Sequence, residues 1–318
     1  MTIVYMFPGQ NSRHLQMIDQ QRGWSGCERI LRDASDVLRR DLSAHYRAHN
    51  AEMFSRNRDV QVGVFLAAYI LAERLASAGI HSDASLGLSL GEYNHLVDIG
   101  ALSFANALRI LDARGSAYEN APRGRMVSVL PCDAGQVQQA LASTTVPGSA
   151  DISIELSAKH FVIGGETDAV QAATAWLEQE ALVQTHLIDS ALPMHSRVFR
   201  PAADAFLEAL ETADWQPPRK AYLPNVDGEI LTDARPAQLV DRLYRHIFST
   251  VRWSQSLAAA VGRYPDALLV EVGPKCILYN SVRREYKHLR CFHTDDPESP
   301  DPVLLKTIQL LQEAQSAA

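Results

Sequence analysis

The chain has 318 residues, 47% of them apolar, which is enough for one large domain carrying an insert or for two domains, with a real core. Its formal net charge of −7, with no basic low-complexity tract, argues against nucleic acid as a main partner. Four widely spread cysteines (Cys27, Cys132, Cys276 and Cys291) show neither CxxC nor metal-ligand spacing, which fits reduced thiols in a cytoplasmic protein and predicts no metal site.

In chain order, Ile3–Phe7 is a continuous apolar run that stops at Pro8-Gly9-Gln10, the pattern of a buried parallel strand feeding a turn. It is too short, and too poor in basic residues, for a secretory signal. Strand ends carry the site groups in open α/β sheets, so Pro8-Gly9-Gln10 is either a site loop or an ordinary strand-to-helix turn. Residues 29–56 are polar with helical period. Residues 60–78 read as a long apolar helix buried on several sides. No unbroken run of about 18 apolar residues marks a membrane span.

The stretch Gly87-Leu88-Ser89-Leu90-Gly91-Glu92 is a G-x-S-x-G pattern between a short strand at 84–86 and a helix starting near Tyr93. That context suits a nucleophile elbow, in which small residues let the backbone turn sharply and hold a hydroxyl at a helix N-terminus. A helix N-cap serine in a Gly-rich turn fits the same letters. Ser103 is placed to cap the next helix, which runs through Arg114.

The composition shifts near Arg123-Gly124-Arg125. From 126 to about 189 the pattern reads strand, helix, strand, strand, helix, strand, the ferredoxin-like order. Domain bounds of 1–125, 126–190 and 191–318 follow, with the middle unit inserted in the larger one. Helices are expected at 201–212, 239–248, 254–261, 277–284 and 304–314. Strands are expected at 221–226 and 267–272, the second closed by Gly273-Pro274. A serine nucleophile needs a base. Of eleven histidines, His195 stands where the chain returns from the insert to the main domain, a junction that faces the intervening cleft.

Phe7-Pro8-Gly9-Gln10, Gly87-x-Ser89-Leu90-Gly91-Glu92, Ala113-Arg114-Gly115, Met194-His195-Ser196, Val251-Arg252-Trp253 and Glu271-Val272-Gly273-Pro274 occur in the order and spacing of the malonyl-CoA:acyl carrier protein transacylase family. Over nearly its whole length the chain resembles that family, and within it the stand-alone acyltransferases that serve polyketide synthases in trans. The resemblance implies an α/β-hydrolase-like large domain with a parallel sheet and an inserted ferredoxin-like subdomain. It implies Ser89 as nucleophile, His195 as base, the backbone N–H groups of Gln10 and Leu90 as oxyanion hole, and the His246 carbonyl, where relatives often have Gln, as orienter of the imidazole. It also implies Arg114 as the grip on a malonyl carboxylate, which a planar guanidinium holds through two parallel hydrogen bonds.

Several positions depart from the family pattern. Leu88 stands where relatives have His, and Asn11 and Arg13 where they have Gly and Gln. Leu156-Ser157-Ala158-Lys159-His160 replaces an Asn-Ser-Pro-x-Gln segment. Leu88, Leu156, His160 and Met194 therefore line the expected substrate pocket. The implied reaction is ping-pong transfer of an acyl group, malonyl in the first instance, from CoA to the phosphopantetheine thiol of an acyl carrier protein, with no bound cofactor. A monomer is the expected state. An acyl hydrolase that edits stalled carrier proteins, a carrier-to-carrier transferase and a non-catalytic docking protein are the competing readings. Carrier proteins are acidic, so docking is expected on Arg197 and Arg200 and on Arg283, Arg284 and Lys287, unless these form only a solvated face.

Overall fold

Among the described residues, eight strands carry the architecture: β1 (Ile3–Phe7), β2 (Ala84–Gly87), β3 (Arg125–Leu130), β4 (Ala150–Ser157), β5 (His160–Gly165), β6 (Gln184–Leu187), β7 (Leu268–Glu271) and β8 (Cys291–His293). They are seen in a computed structural model that describes residues 1–143, 149–188 and 190–316. Residues 144–148 and Asp189, within the expected insert, lie outside the described residues.

The first sheet has the order β2-β1-β7-β8, and every pairing in it is parallel. Parallel strands need cover on both faces, which is why β1, β2 and β7 are buried at every residue. Ile3, Tyr5 and Phe7 pack with Leu71 and Leu75 of the helix Asn57–Ser77 and with Leu304 and Leu311 of the helix Pro300–Ser316. Val4 and Met6 pack against Leu257 of Trp253–Arg263 and Leu278 and Val282 of Ile277–Glu285. Each such side chain contributes about 1.5–3 kcal/mol when fully buried.

The second sheet is antiparallel, with the order β4-β5-β3-β6. It occupies Arg125 to Leu187, and the segments on either side of it both supply strands to the parallel sheet. Side chains on its strands alternate faces. Val127, Val129, Phe161 and Ile163 pack against the helices Ala134–Ala142 and Thr167–Gln179 through Val137, Ala140, Val170 and Ala173. Asp133 and Gln136 close a capping box at the first of these helices, satisfying two end groups at once. β4 is bound back to the large part by Glu155 N–H to the Val251 carbonyl at 2.9 Å and Val251 N–H to the Ser153 carbonyl at 2.9 Å.

The structure corrects one expected strand and adds another. Residues 221–226 form no strand, only one antiparallel bridge between Tyr222 and Leu231, because the backbone and side chain of Asn225 are taken up by the elbow and Glu92. The three-residue edge strand β8 was not expected, being too short to show a period. The helix Asn57–Ser77 does have the length and hydropathy to cross a bilayer, yet it packs against the helices Ser25–Leu38, Gly91–Asp98 and Phe104–Glu119 as a core helix.

Candidate active site

In a parallel sheet all carboxyl ends lie on one edge. The turn after β2, the loop after β1 and Gly273-Pro274 after β7 are therefore neighbours, although they are far apart in sequence. Ser89 occupies the turn between β2 and the helix Gly91–Asp98 with φ of +51°, a left-handed conformation uncommon for a serine. Two glycines make the turn passable. A Cβ on Gly87 would lie 2.1 Å from the Gly91 backbone, and one on Gly91 would lie 2.1 Å from the Phe7 carbonyl oxygen. Asn225 holds the strained turn from outside: its Nδ2 donates to the Gly87 carbonyl at 2.7 Å and its Oδ1 accepts from Ser89 N–H at 2.7 Å.

Ser89 Oγ lies 2.7 Å from His195 Nε2, and His195 Nδ1 lies 2.7 Å from the His246 carbonyl oxygen. A carbonyl only accepts, so Nδ1 carries the proton and Nε2 is left to accept from the serine hydroxyl. His195 is itself held at φ of +61°, with its N–H donating to the Ile247 carbonyl at 3.0 Å. Burial, reinforced by the Arg114 charge, pushes its pKa down to about 3, so the ring is a neutral base near neutral pH. The N–H groups of Gln10 and Leu90 meet no acceptor among the described residues. Leu90 stands at the start of a helix, where the peptide dipoles favour negative charge.

A cavity of about 250 Å³ opens on Ser89 and His195. The loop 8–12 bounds it, together with Leu88, Met194, Ile277 and Leu278, and the antiparallel sheet supplies Leu156, His160 and their neighbours. Leu88, Leu156, His160, Met194 and Gln10 thus lie together, and Gln10 Nε2 approaches Met194 Sδ at 3.4 Å.

Arg114 is not on the wall of this cavity, and it is 1% exposed on the helix Phe104–Glu119. Nη1 donates to Gln61 Oε1 at 2.8 Å, and the guanidinium lies over the rings of Tyr118 and Tyr93, at 4.6 and 5.4 Å. Among the described residues, Nε and Nη2 have no hydrogen-bond partner and no carboxylate lies within 4.0 Å. Its charge is nonetheless felt at His195 and at His246.

Sequence reasoning missed the layer beneath the dyad. Glu92 is fully buried, accepts from Tyr222 Oη and from Asn225 N–H at 3.4 Å, and is pushed up to about 8 by burial. The His246 ring stacks on His195 with centroids 4.8 Å apart, its Nδ1 3.2 Å from Glu92 Oε2. Glu92 was visible only as part of the elbow pattern, and nothing local marked Asn225 or the ring of His246.

The expected docking residues divide into two groups. Arg197 is exposed but held by Asp151, with Nη2–Oδ1 at 2.6 Å and Nε–Oδ1 at 2.9 Å, and Arg200 is exposed over the Phe248 ring at 5.5 Å. Arg283, Arg284 and Lys287 are exposed and make no ion pair among the described residues. Arg284 is close enough to lower the pKa of His160, after the larger effect of burial.

The family model described as "Acyl transferase domain" matches residues 5–304. The malonyl CoA-acyl carrier protein transacylase of Bacillus subtilis is 26% identical over 302 residues, covering 93% of this chain and 94% of that one. The crystal structure of the protein of the same name from Clostridium perfringens superposes with a TM-score of 0.91 at 21% identity, over 100% of this chain and 99% of that one. A malonyl-transacylase solved in complex with its type II PKS acyl-carrier protein matches with a TM-score of 0.87 at 25% identity, over 96% and 100% of the two chains.

Proposed function

The chain belongs to the acyl transferase domain family and is an acyltransferase, and from that premise we propose that it carries a malonyl group from CoA to the phosphopantetheine thiol of an acyl carrier protein through an ester on Ser89. The observation that carries this reading is the aligned pair of 2.7 Å contacts, Ser89 Oγ to His195 Nε2 and His195 Nδ1 to the His246 carbonyl. As Ser89 Oγ attacks the thioester carbon, its proton passes to His195 Nε2. The N–H groups of Gln10 and Leu90 receive the oxyanion. The imidazolium then returns the proton to the departing CoA sulfur, leaving the acyl ester. The carrier thiol repeats the sequence in reverse, giving its proton to His195 and taking the acyl group.

Arg114 supports malonyl as the group. A buried guanidinium that makes no ion pair and leaves Nε and Nη2 without hydrogen-bond partners among the described residues is costly unless an anion completes it; its charge already reaches His195, and the free carboxylate of malonyl would supply that anion. Service to a polyketide synthase, in the cytoplasm, is the setting we propose; the neighbour solved with a polyketide carrier protein supports it. Intact-protein mass spectrometry after mixing with malonyl-CoA tests the reading. The expected result is one malonyl adduct that Ser89→Ala lacks and that holo-carrier protein discharges. An equal adduct on Ser89→Ala overturns it.

A further inference from the structure

The antiparallel sheet uses its odd-numbered positions on β3 and β5 to pack its own helices, which leaves the other face to be explained. That face carries Met126 and Ser128 of β3, His160 and Val162 of β5 and, after a register shift, Ile154 and Leu156 of β4. An antiparallel sheet with helices on one side commonly turns a polar face outward. Here the second face is mainly apolar, and all six side chains line the cavity that holds Ser89. The two polar ones are spent on each other: Ser128 Oγ lies 2.7 Å from His160 Nε2. Burial disfavours charge on His160. Arg114 does not line this wall.

We propose that this face is a subsite for an apolar acyl chain, and that the enzyme also loads Ser89 with straight-chain acyl groups longer than acetyl, such as butyryl and hexanoyl. The proposal rests on the acyl-Ser89 reading and extends its substrate class. In each loading step the Ser89 Oγ–carbon bond forms as the carbon–sulfur bond of acyl-CoA breaks. The hydroxyl proton travels through His195 Nε2 to the CoA thiol, and no other reactant is needed. The chain then lies along Ile154, Leu156 and Val162, out of water.

The test is the rate of adduct formation on Ser89 from acetyl-, butyryl- and hexanoyl-CoA, with malonyl-CoA run alongside. Burying one methylene is worth about a four-fold gain, so hexanoyl is expected to load at least ten-fold faster than acetyl. Ile154→Trp, or Leu156→Trp as an independent variant, should bring the hexanoyl-to-acetyl ratio down to about one. The ratio is read within each variant, so a general loss of folded protein does not mimic the effect. Equal loading of acetyl and hexanoyl by the unsubstituted enzyme, as when the wall holds the pantetheine arm instead, overturns the proposal while a malonyl adduct leaves the acyl-Ser89 reading standing. Failure of every thioester to label Ser89 overturns both.

Discussion

Asn225 offers the sharpest check on how the elbow is held. Asn225→Ala removes both contacts at once and leaves the Gly87 carbonyl and the Ser89 N–H buried without partners. Each orphaned group costs about 1–3 kcal/mol, so the two together predict a loss of about 2–6 kcal/mol. That is a large share of the total stability of about 5–15 kcal/mol ordinary for a domain. The same two bonds oppose the strain of Ser89 at φ of +51°, which is of order 1–3 kcal/mol. Once they are gone the hydroxyl is no longer pinned 2.7 Å from His195, and a shift of roughly 1 Å is enough to slow acylation about 100-fold. Urea unfolding gives the first number from the shift in midpoint at constant slope. Rapid-quench mass spectrometry of the malonyl adduct gives the second. A variant within about 0.5 kcal/mol of the unsubstituted protein, the range of an ordinary surface change, that also acylates at the normal rate would refute the reasoning.

Replacing His195 by Ala should slow acylation on the order of 10²–10⁴-fold, and a near-normal rate would assign the base elsewhere. Because the pKa of His195 is lowered rather than raised, its base form persists as pH falls; the acylation rate should stay flat from about pH 8 down to about pH 5 and drop only toward its pKa of about 3, whereas a midpoint near the usual histidine value would contradict the burial argument. Arg114→Ala should lower malonyl loading relative to acetyl by on the order of 10-fold or more, the effect of unpairing a buried carboxylate, and an unchanged ratio removes the main support for malonyl. Changing Arg283 and Arg284 together to Glu should slow transfer to the carrier protein and flatten its salt dependence more than it slows self-acylation, and equal effects on both half-reactions would exclude that surface as the dock.

Much of this protein was legible before folding was considered. The all-apolar run Ile3–Phe7 has no polar alternation and so had to be a strand covered on both faces, and β1 is buried at every residue. Gly87 and Gly91 announced the turn at Ser89, since a tight turn demands small residues locally, and local demands are written in neighbouring letters. The strand–helix order of 126 to 189 likewise carried the antiparallel unit in its periods. What the letters did not carry was distance. Asn225 reaches Ser89 across 136 positions, and its own neighbourhood reads as a short strand. The stacking of His246 on His195 and the burial of Glu92 beside them depend on where three separate elements converge. Arg114 stood in a legible pattern, yet only packing set it off the cavity wall, between Tyr93 and Tyr118. Backbone preference and periodicity are short-range and belong to the sequence. Burial, pairing across the chain and the shape of the cavity come from how the sheets meet, and only the tertiary structure decides them.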